Sequence, residues 1–489
     1  FWIVGDSFYL NGKHVILRAT GCHPLPRNVL FNKTYAKDLL KRLKEYNVIT
    51  IRFHAQPWPR IWYDAADEVG MLVIHESAVW CFGTIYKLDY VAFWDHFKEH
   101  LITQVKLHRN NPSIVIWSLE NELLLTGGTR YQPTISRLAQ LARIVKSIDP
   151  TRPIMFEGDE DPLGAADIIN LHYPHEFPNW DNYPNTAYWL DKPVKLDSYP
   201  RKVWMWKRDK PLYIGEFLWI SPSSYNIAAT FLGEIAYEDF HKYYIVAKGL
   251  AWKMQIEAYR YYRVSGFCPW SMIEAPELWN IVKEAYAPIT AFVREYDTRF
   301  FEGDVVTRTI TIYNDVLHSS NLTFKCMLTY ANGSVIQGET KELSLKPGSY
   351  KRYVIKLIMP KVRNETKVYL KLNLYEGSEL VFNDTKEYIV YPKEAIRADL
   401  LRLKIGLYDP IGCTKKIFDE NNIKYEFLNT LDDLKNIDVL VIGYQAISNN
   451  TLDQYRDEIL RFIRSGGSVI IFEQKVLPNW LPIKLKVTK

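Results

Sequence analysis

No two of the five cysteines lie close enough to form a Cys-x-x-Cys pair. Cys22, Cys81, Cys268, Cys326 and Cys413 are scattered along 489 residues, so neither a zinc site nor a disulfide framework is indicated. An odd count leaves at least one thiol unpaired or joined to another chain, with room for a single disulfide. The sequence also lacks any apolar run of about 18 residues, so no membrane-spanning helix is expected. It lacks long blocks of one charge: 61 Lys+Arg against 56 Asp+Glu leaves a net +5. That argues against nucleic acid as a partner. Internal repeats and low-complexity segments are absent too. Nothing resembling a signal peptide opens the chain, which starts abruptly in a strand-like Phe1-Trp2-Ile3-Val4 and reads as a processed or excised piece.

What is present is a globular balance, 47% hydrophobic and 24% charged, over a length that calls for two to four domains. Aromatic content is high at 14%, with 15 Trp and 33 Tyr. That suits aromatic cores or surfaces that stack on sugar rings. Six Asn-x-Ser/Thr triplets occur, at Asn32, Asn321, Asn332, Asn364, Asn383 and Asn449. Five of them fall after residue 320 in turn-like polar stretches, and they point to an extracellular or cell-surface glycoprotein.

Eight short apolar runs alternate with helical patterns between residues 13 and 289. They cover 14–17, 48–51, 71–74, 114–117, 153–156, 168–171, 212–214 and 264–267. Thr34 is placed to cap the first helix, whose Leu39, Leu40, Leu43 and Tyr46 make one apolar face. The next helix, from Tyr63, should stop at Gly70. Eight such units over about 250 residues predict a (β/α)8 TIM barrel. A doubly wound sheet would need a glycine-rich phosphate turn after its first strand, and Thr20-Gly21-Cys22-His23-Pro24 is not one.

Period-two alternation then takes over, as in Val306–Ile312 and 368–374, with turns at Ala331-Asn332-Gly333 and Lys346-Pro347-Gly348. This predicts an Ig-like antiparallel β-sandwich. A final strand–helix alternation predicts a small flavodoxin-like α/β domain, with strands near 403–407, 439–442 and 468–472. The boundaries that follow are 1–294 for the barrel with preceding strands, 295–393 for the sandwich and 394–489 for the last domain, which reads as truncated.

In a barrel, side chains just past the C-terminal strand ends meet at one mouth. Read in order, those positions hold His23, then Arg52 and His54, then Glu76, then Asn121 and Glu122. Asp159, His172 with Tyr173, Glu216 and Trp270 complete the ring. A lone Glu at a strand end is usually an ion pair or a helix cap. Glu122 and Glu216, on strands four and seven, are different because they face one another. Retaining glycoside cleavage needs two carboxylates about 5 Å apart, one as acid/base and one as nucleophile. Arg52 is placed to keep the nucleophile ionised, Trp270 offers a flat face to a sugar, and Asn121 an amide to a ring hydroxyl. Glu120, beside the pair, reads as structural.

At this point residues 8–290 resemble the catalytic barrel of glycoside hydrolase family 2. The stretches that carry the likeness are FYLNGKHVILRATGCH, NVITIRFH, WYDAADEVGMLVIHE, NPSIVIWSLENE, DPTRPI, ADIINLHYP, KPLYIGEF and SGFCPWS. The resemblance implies Glu122 as acid/base and Glu216 as nucleophile. It implies Arg52, Asn121, Tyr173 and Trp270 around the reacting sugar, with His172 beside them and His23, His54 and Glu76 as looser matches. It implies no metal or organic cofactor. The expected substrate is an oligosaccharide, polysaccharide or glycoconjugate with a terminal β-linked sugar, cleaved in the manner of a β-galactosidase or β-mannosidase. An oligomer or a further N-terminal segment is compatible with it.

The sequence departs from the family in three places. Arg52 and His54 are separated by one residue where galactosidase-like members have two. The Asn-x-Lys motif with which a glucuronidase reads a sugar carboxylate is not found at the strand ends, and no sandwich domains stand ahead of the barrel. The last domain resembles the class I glutamine amidotransferase-like fold, but Cys413 is not on its nucleophile elbow, which makes it non-catalytic. The aromatic insertion at 175–210, with Trp180, Tyr183, Tyr188, Trp189, Tyr199, Trp204 and Trp206, is expected either to cap the pocket and stack on sugar or to pack as a flap on its own barrel. The alternative to an enzyme is a retired barrel kept as a sugar-binding or structural module on the cell surface. Both glutamates being intact argues against it.

Overall fold

The computed structural model describes all residues except 24, 81–85, 87, 126–131, 177–185, 196–202, 219–224, 272, 274–275, 394–401, 448–451 and 483–489. The chain forms two compact units. One comprises Phe1–Arg299 with Val305–Ile358 and Lys367–Ile389; the other comprises Phe300–Asp304, Met359–Thr366 and Val390–Lys489.

The first unit is built on eight strands, each hydrogen-bonded in parallel to its neighbours: Leu17–Cys22, Thr50–Phe53, Leu72–Glu76, Ile114–Asn121, Ile154–Glu157, Ile169–His172, Leu212–Glu216 and Gly266–Phe267. Counted from one to eight along the chain, their order in the sheet is 5-4-3-2-1-8-7-6. Among the described residues no ladder joins strands five and six; Glu160, just past strand five, bridges Asn170, so the barrel is nearly closed. The alternation of side chains explains its two cores. Ile51, Phe53, Val73, Phe156, Leu171 and Ile214 pack outward against the helices. Leu17, Ala19, Ile74, Ile116, Met155 and Tyr213 fill the interior, as the period of two requires.

The first strand begins later than expected. Lys13–Val15 belongs to an antiparallel three-stranded sheet with Trp2–Val4 and Ser7–Leu10, and the barrel strand starts at Leu17. Phe8 of that small sheet, fully buried, joins the interior core. The first long helix, Lys33–Glu45, is capped by Asn32 and not by Thr34. The Asn32 side chain accepts from the Tyr35 N–H at 3.0 Å, and an extended backbone at Asn32 makes that bond available. The next helix, Arg60–Val69, ends at Gly70 with φ 71°, a left-handed position that glycine adopts without strain.

Antiparallel sheets of three and five strands follow the barrel. Strand Ile289–Val293 pairs with Val305–Asn314, which pairs in turn with Ser349–Ile358. Ser320–Tyr330, a strand not anticipated from the sequence, sits between Val335–Leu345 and Thr366–Glu376. Its Leu322, Phe324, Cys326 and Leu328 are buried, with half-buried residues between them. The second unit contains four parallel strands, Ile405–Tyr408, Glu426–Phe427, Val439–Ile442 and Ser468–Ile471, in the order 2-1-3-4. Among the described residues no helix is long and apolar enough to cross a membrane.

Candidate active site

The inward positions of the barrel become polar at the C-terminal strand ends. Alternation alone delivers Arg52, Glu76, Glu157 and His172, each two residues past an inward residue of its strand. Glu216 is different: strict alternation from the inward Tyr213 would turn it out toward the helices. The pairing of strands six and seven shifts register between Ile214 and Glu216. That irregularity re-aims the carboxylate, as β-bulges near active sites do. A second shift, between Ser118 and Asn121 where strand four pairs with strand five, precedes Glu122.

Arg52 is the hub. Its Nε donates to Glu76 Oε2 at 2.8 Å, one terminal nitrogen to Glu216 Oε1 at 2.8 Å, and the other to Asn121 Oδ1 at 2.6 Å. It also lies 2.9 Å from His54 Nδ1 and 3.3 Å from Glu157 Oε1. His172 is the second centre. Nδ1 contacts Glu122 Oε1 at 2.7 Å and Nε2 contacts Glu157 Oε2 at 3.0 Å, with Glu216 Oε1 3.8 Å from Nδ1. The Tyr173 hydroxyl donates to Glu216 Oε2. One donor atom from each of Glu122, His172 and Glu216 lies within 4.8 Å of the others. These three could hold a metal ion by spacing, but an ion would have to displace the proton on His172 Nδ1.

Burial separates the four glutamates by role. Glu76 and Glu157 are 0% exposed, whereas Glu122 and Glu216 keep 6% and 5%. Only the latter two can meet a ligand from the mouth. Burial alone would raise the carboxyl of Glu216, but His172, Arg52, His54 and the Tyr173 hydroxyl together hold it below the usual range. Burial would likewise neutralise His172, yet Glu216, Glu122 and Glu157 push it up to about 10, so its ring is charged at neutral pH. Glu76, against the same burial, is held down at about 2 by Arg52 and His54.

The backbone around the mouth is strained. Ala55, Glu122, Tyr173, His175 and Leu218 all have positive φ, between 41° and 60°. Each such residue costs about 1–3 kcal/mol and persists only where its surroundings hold it, which is common at functional sites. Glycine is required at two positions beside them. A Cβ on Gly215 would lie 2.1 Å from Glu157 Oε2 and 2.6 Å from His172 Nε2, and one on Gly158 would lie 2.9 Å from the His172 ring.

The remaining expected residues fall into two groups. His54, Trp270 and the exposed His23 form an edge-to-face aromatic wall, with ring centroids 4.6 Å apart for His54–Trp270 and 4.9 Å for His23–Trp270. Trp80, 39% exposed and 5.9 Å from His54, extends that wall and was not singled out from the sequence. Asp159 does not join the cluster around Glu122 and Glu216. Its two oxygens accept the N–H groups of Leu124 at 2.6 Å and Leu125 at 2.8 Å. Glu157, the last residue of strand five, was missed although its inward parity marked it.

Of the two readings of the aromatic insertion, its described tryptophans follow packing on the barrel, whereas Tyr188 is 39% exposed. Trp189, Trp204 and Trp206 are 1%, 5% and 3% exposed and belong to the barrel's outer core, with Trp189 and Trp204 packed at 5.5 Å. They have no open face for a sugar. Trp180, Tyr183 and Tyr199 lie outside the described residues.

The sequence profile for Glycosyl hydrolases family 2, TIM barrel domain, matches residues 2–222. Among solved structures, the chain is similar to the exo-chitosanase CsxA from Amycolatopsis orientalis. Identity is 16% and the TM-score 0.54, covering 78% of this chain and 49% of that one. The FMN-binding β-glucuronidase from Facaelibacterium prausnitzii matches at 16% identity and TM-score 0.45, over 79% and 57%. At such identity the likeness to CsxA is one of fold. The chain spans about half the length of these proteins.

Proposed function

We propose that this chain, whose residues 2–222 match the glycosyl hydrolase family 2 barrel, is a β-glycosidase that cleaves a terminal sugar with retention of configuration. The observation that carries the reading is the pair itself. Glu122 and Glu216 bring oxygens within 4.8 Å of one another, the close spacing of double displacement and too short to admit a water between them as inversion requires.

In the first step Glu216, kept ionised by Arg52 and His172, attacks the anomeric carbon. Glu122 protonates the departing glycosidic oxygen, so the C–O bond breaks as the ester to Glu216 forms. In the second step Glu122 takes a proton from water, which attacks the same carbon and releases Glu216. Tyr173 and Arg52 each hold one oxygen of Glu216, fixing its direction of attack. His23, His54, Trp80 and Trp270 supply the wall against which the sugar ring packs, and Asn121 faces its hydroxyls. Glu76 acts through Arg52, being fully buried behind it. A galactose- or mannose-configured substrate remains the proposal for the sugar.

A panel of aryl β-glycosides tests this with the wild type and with Glu216→Gln. Turnover lost in the variant by a factor on the order of 10⁴ supports the nucleophile. Glu122→Ala should regain activity on an activated substrate when azide is added. A folded wild type that turns over no member of the panel would favour the sugar-binding reading.

We also place the protein at the cell surface or outside the cell. Asn32, Asn321, Asn332, Asn364 and Asn383 are all exposed, while Asn449 lies outside the described residues. Expression in a glycosylating host followed by glycosidase F treatment should lower the mass. An unchanged mass would count against secretion.

A further inference from the structure

Beneath the turn that carries Glu122 lie two acids that no step above uses. Glu120 is fully buried and Asp159 is 4% exposed. The Leu123 N–H donates to Glu120 Oε2 at 2.9 Å, while those of Leu124 and Leu125 go to the two oxygens of Asp159. Three successive backbone amides thus converge on one carboxyl pair, the arrangement of an anion-holding nest. Glu120 Oε1 is buried with no hydrogen-bond partner among the described residues, a position that a neutral carboxyl tolerates far better than a charged one. Both oxygens of Asp159 accept amides, so Glu120 is the neutral member of the pair. Burial and the Asp159 charge push the Glu120 carboxyl well above its ordinary range, consistent with that assignment.

Glu122 stands immediately before this turn with φ 54°, its own N–H held by the Glu157 carbonyl at 2.8 Å. A glutamate keeps such a conformation only where neighbours over-determine it. We propose that Glu120 and Asp159 form a paired-carboxyl clamp that positions Glu122, holding residues 122–125 so that its carboxyl stays against His172 and across from Glu216. Both are positioning residues: neither faces the mouth. The inference rests on the reading of Glu122 as acid/base.

The chemistry makes the two positions respond differently to amides. Gln at 120 keeps the acceptor for the Leu123 N–H and stays neutral beside Asp159. Asn at 159 must turn an NH2 toward a backbone N–H. Ala at 120 removes the acceptor that Glu120 Oε2 offers the Leu123 N–H.

The test compares Glu120→Gln, Glu120→Ala, Asp159→Asn and Glu122→Ala on phenyl and 2,4-dinitrophenyl β-glycosides. The sugar is the one among glucose, galactose, mannose, glucuronic acid and glucosamine that the wild type cleaves fastest. The readout is kcat/KM, which reports the first displacement. The phenyl substrate needs acid assistance and the dinitrophenyl substrate does not. Glu120→Gln should stay within about threefold of wild type on both. Asp159→Asn and Glu120→Ala should lose about 10²-fold on the phenyl glycoside, the scale of a misplaced catalytic group, and under about tenfold on the other. Equal losses on both substrates, or a wild-type Glu120→Ala, overturn the clamp. If Glu122→Ala itself shows no leaving-group dependence, the acid/base reading fails instead. A crystal structure of Glu120→Ala then decides the clamp alone: φ at Glu122 leaving the left-handed region supports it, and an unchanged turn overturns it.

Discussion

Nε2 of His172 lies 3.0 Å from Oε2 of Glu157, while Nδ1 of the same ring faces Glu122 Oε1 at 2.7 Å. A buried carboxyl group thus fixes the orientation and the charge of the imidazole that faces Glu122 and Glu216. Glu157 is held in turn by the Asn170 amide at 2.7 Å.

Removing that anchor should show in the pH profile. His172 is raised to about 10 from an ordinary 6.5. Its stabilising contribution is therefore complete below 6.5 and lost as pH rises through 10. In Glu157→Gln the folded value falls, so the alkaline limb of kcat/KM should move toward neutrality by roughly one unit or more. An alkaline limb unmoved by the substitution would show that His172 does not depend on Glu157.

Glu76 works in the opposite direction. Its carboxyl is held at about 2 beside Arg52. The stability it contributes is present above about 4.5 and is lost as pH falls through 2. Glu76→Gln should lower stability at pH 7 by about 3–5 kcal/mol, because it breaks a buried ion pair. It should also flatten the fall in stability between pH 4.5 and 2. Urea unfolding at three pH values measures both effects.

Gly215→Ala is expected to be disproportionately harmful for one methyl group. The new Cβ would fall 2.1 Å from Glu157 Oε2 and 2.6 Å from Asn170 Oδ1. Overpacking of this kind costs about 1–3 kcal/mol and displaces His172 and Glu216 together. Thermal unfolding and kcat should both decline; a drop in melting temperature with unchanged kcat would show that strand seven shifts without moving Glu216.

Trp204→Ala separates core from subsite. Its ring is 5% exposed and packs on Trp189, so we expect a loss of about 3–5 kcal/mol in stability, the usual cost of emptying a large core site. KM for an aryl glycoside should hold within about twofold. A stable variant with a strongly raised KM would return the ring to the sugar pocket.

Much of the barrel was legible because period-two burial and strand-to-helix alternation are local properties. Val48-Ile49-Thr50-Ile51 and Ile114-Val115-Ile116-Trp117 announce strands by composition alone. Gly70 marks a helix end for the same reason: its left-handed backbone is a one-residue requirement. The helix cap was misassigned to Thr34 because Asn32 and Thr34 are both good caps, and only the chain direction entering the helix chooses between them. Ser320–Tyr330 went unread because Leu322, Phe324, Cys326 and Leu328 alternate with residues whose polarity is mixed.

Residue order by itself determined the repeating βα units and which strand ends carry acids, since both follow from chemistry along the chain. Apart from the family resemblance, it could not say which of those acids reach the mouth. That depends on two register shifts, at Ser118–Asn121 and at Ile214–Glu216, which turn Glu122 and Glu216 toward the mouth. It depends as well on depth, which leaves Glu76 and Glu157 sealed and the other pair reachable. Register and depth are properties of neighbouring strands packed together, so only the tertiary structure decided them.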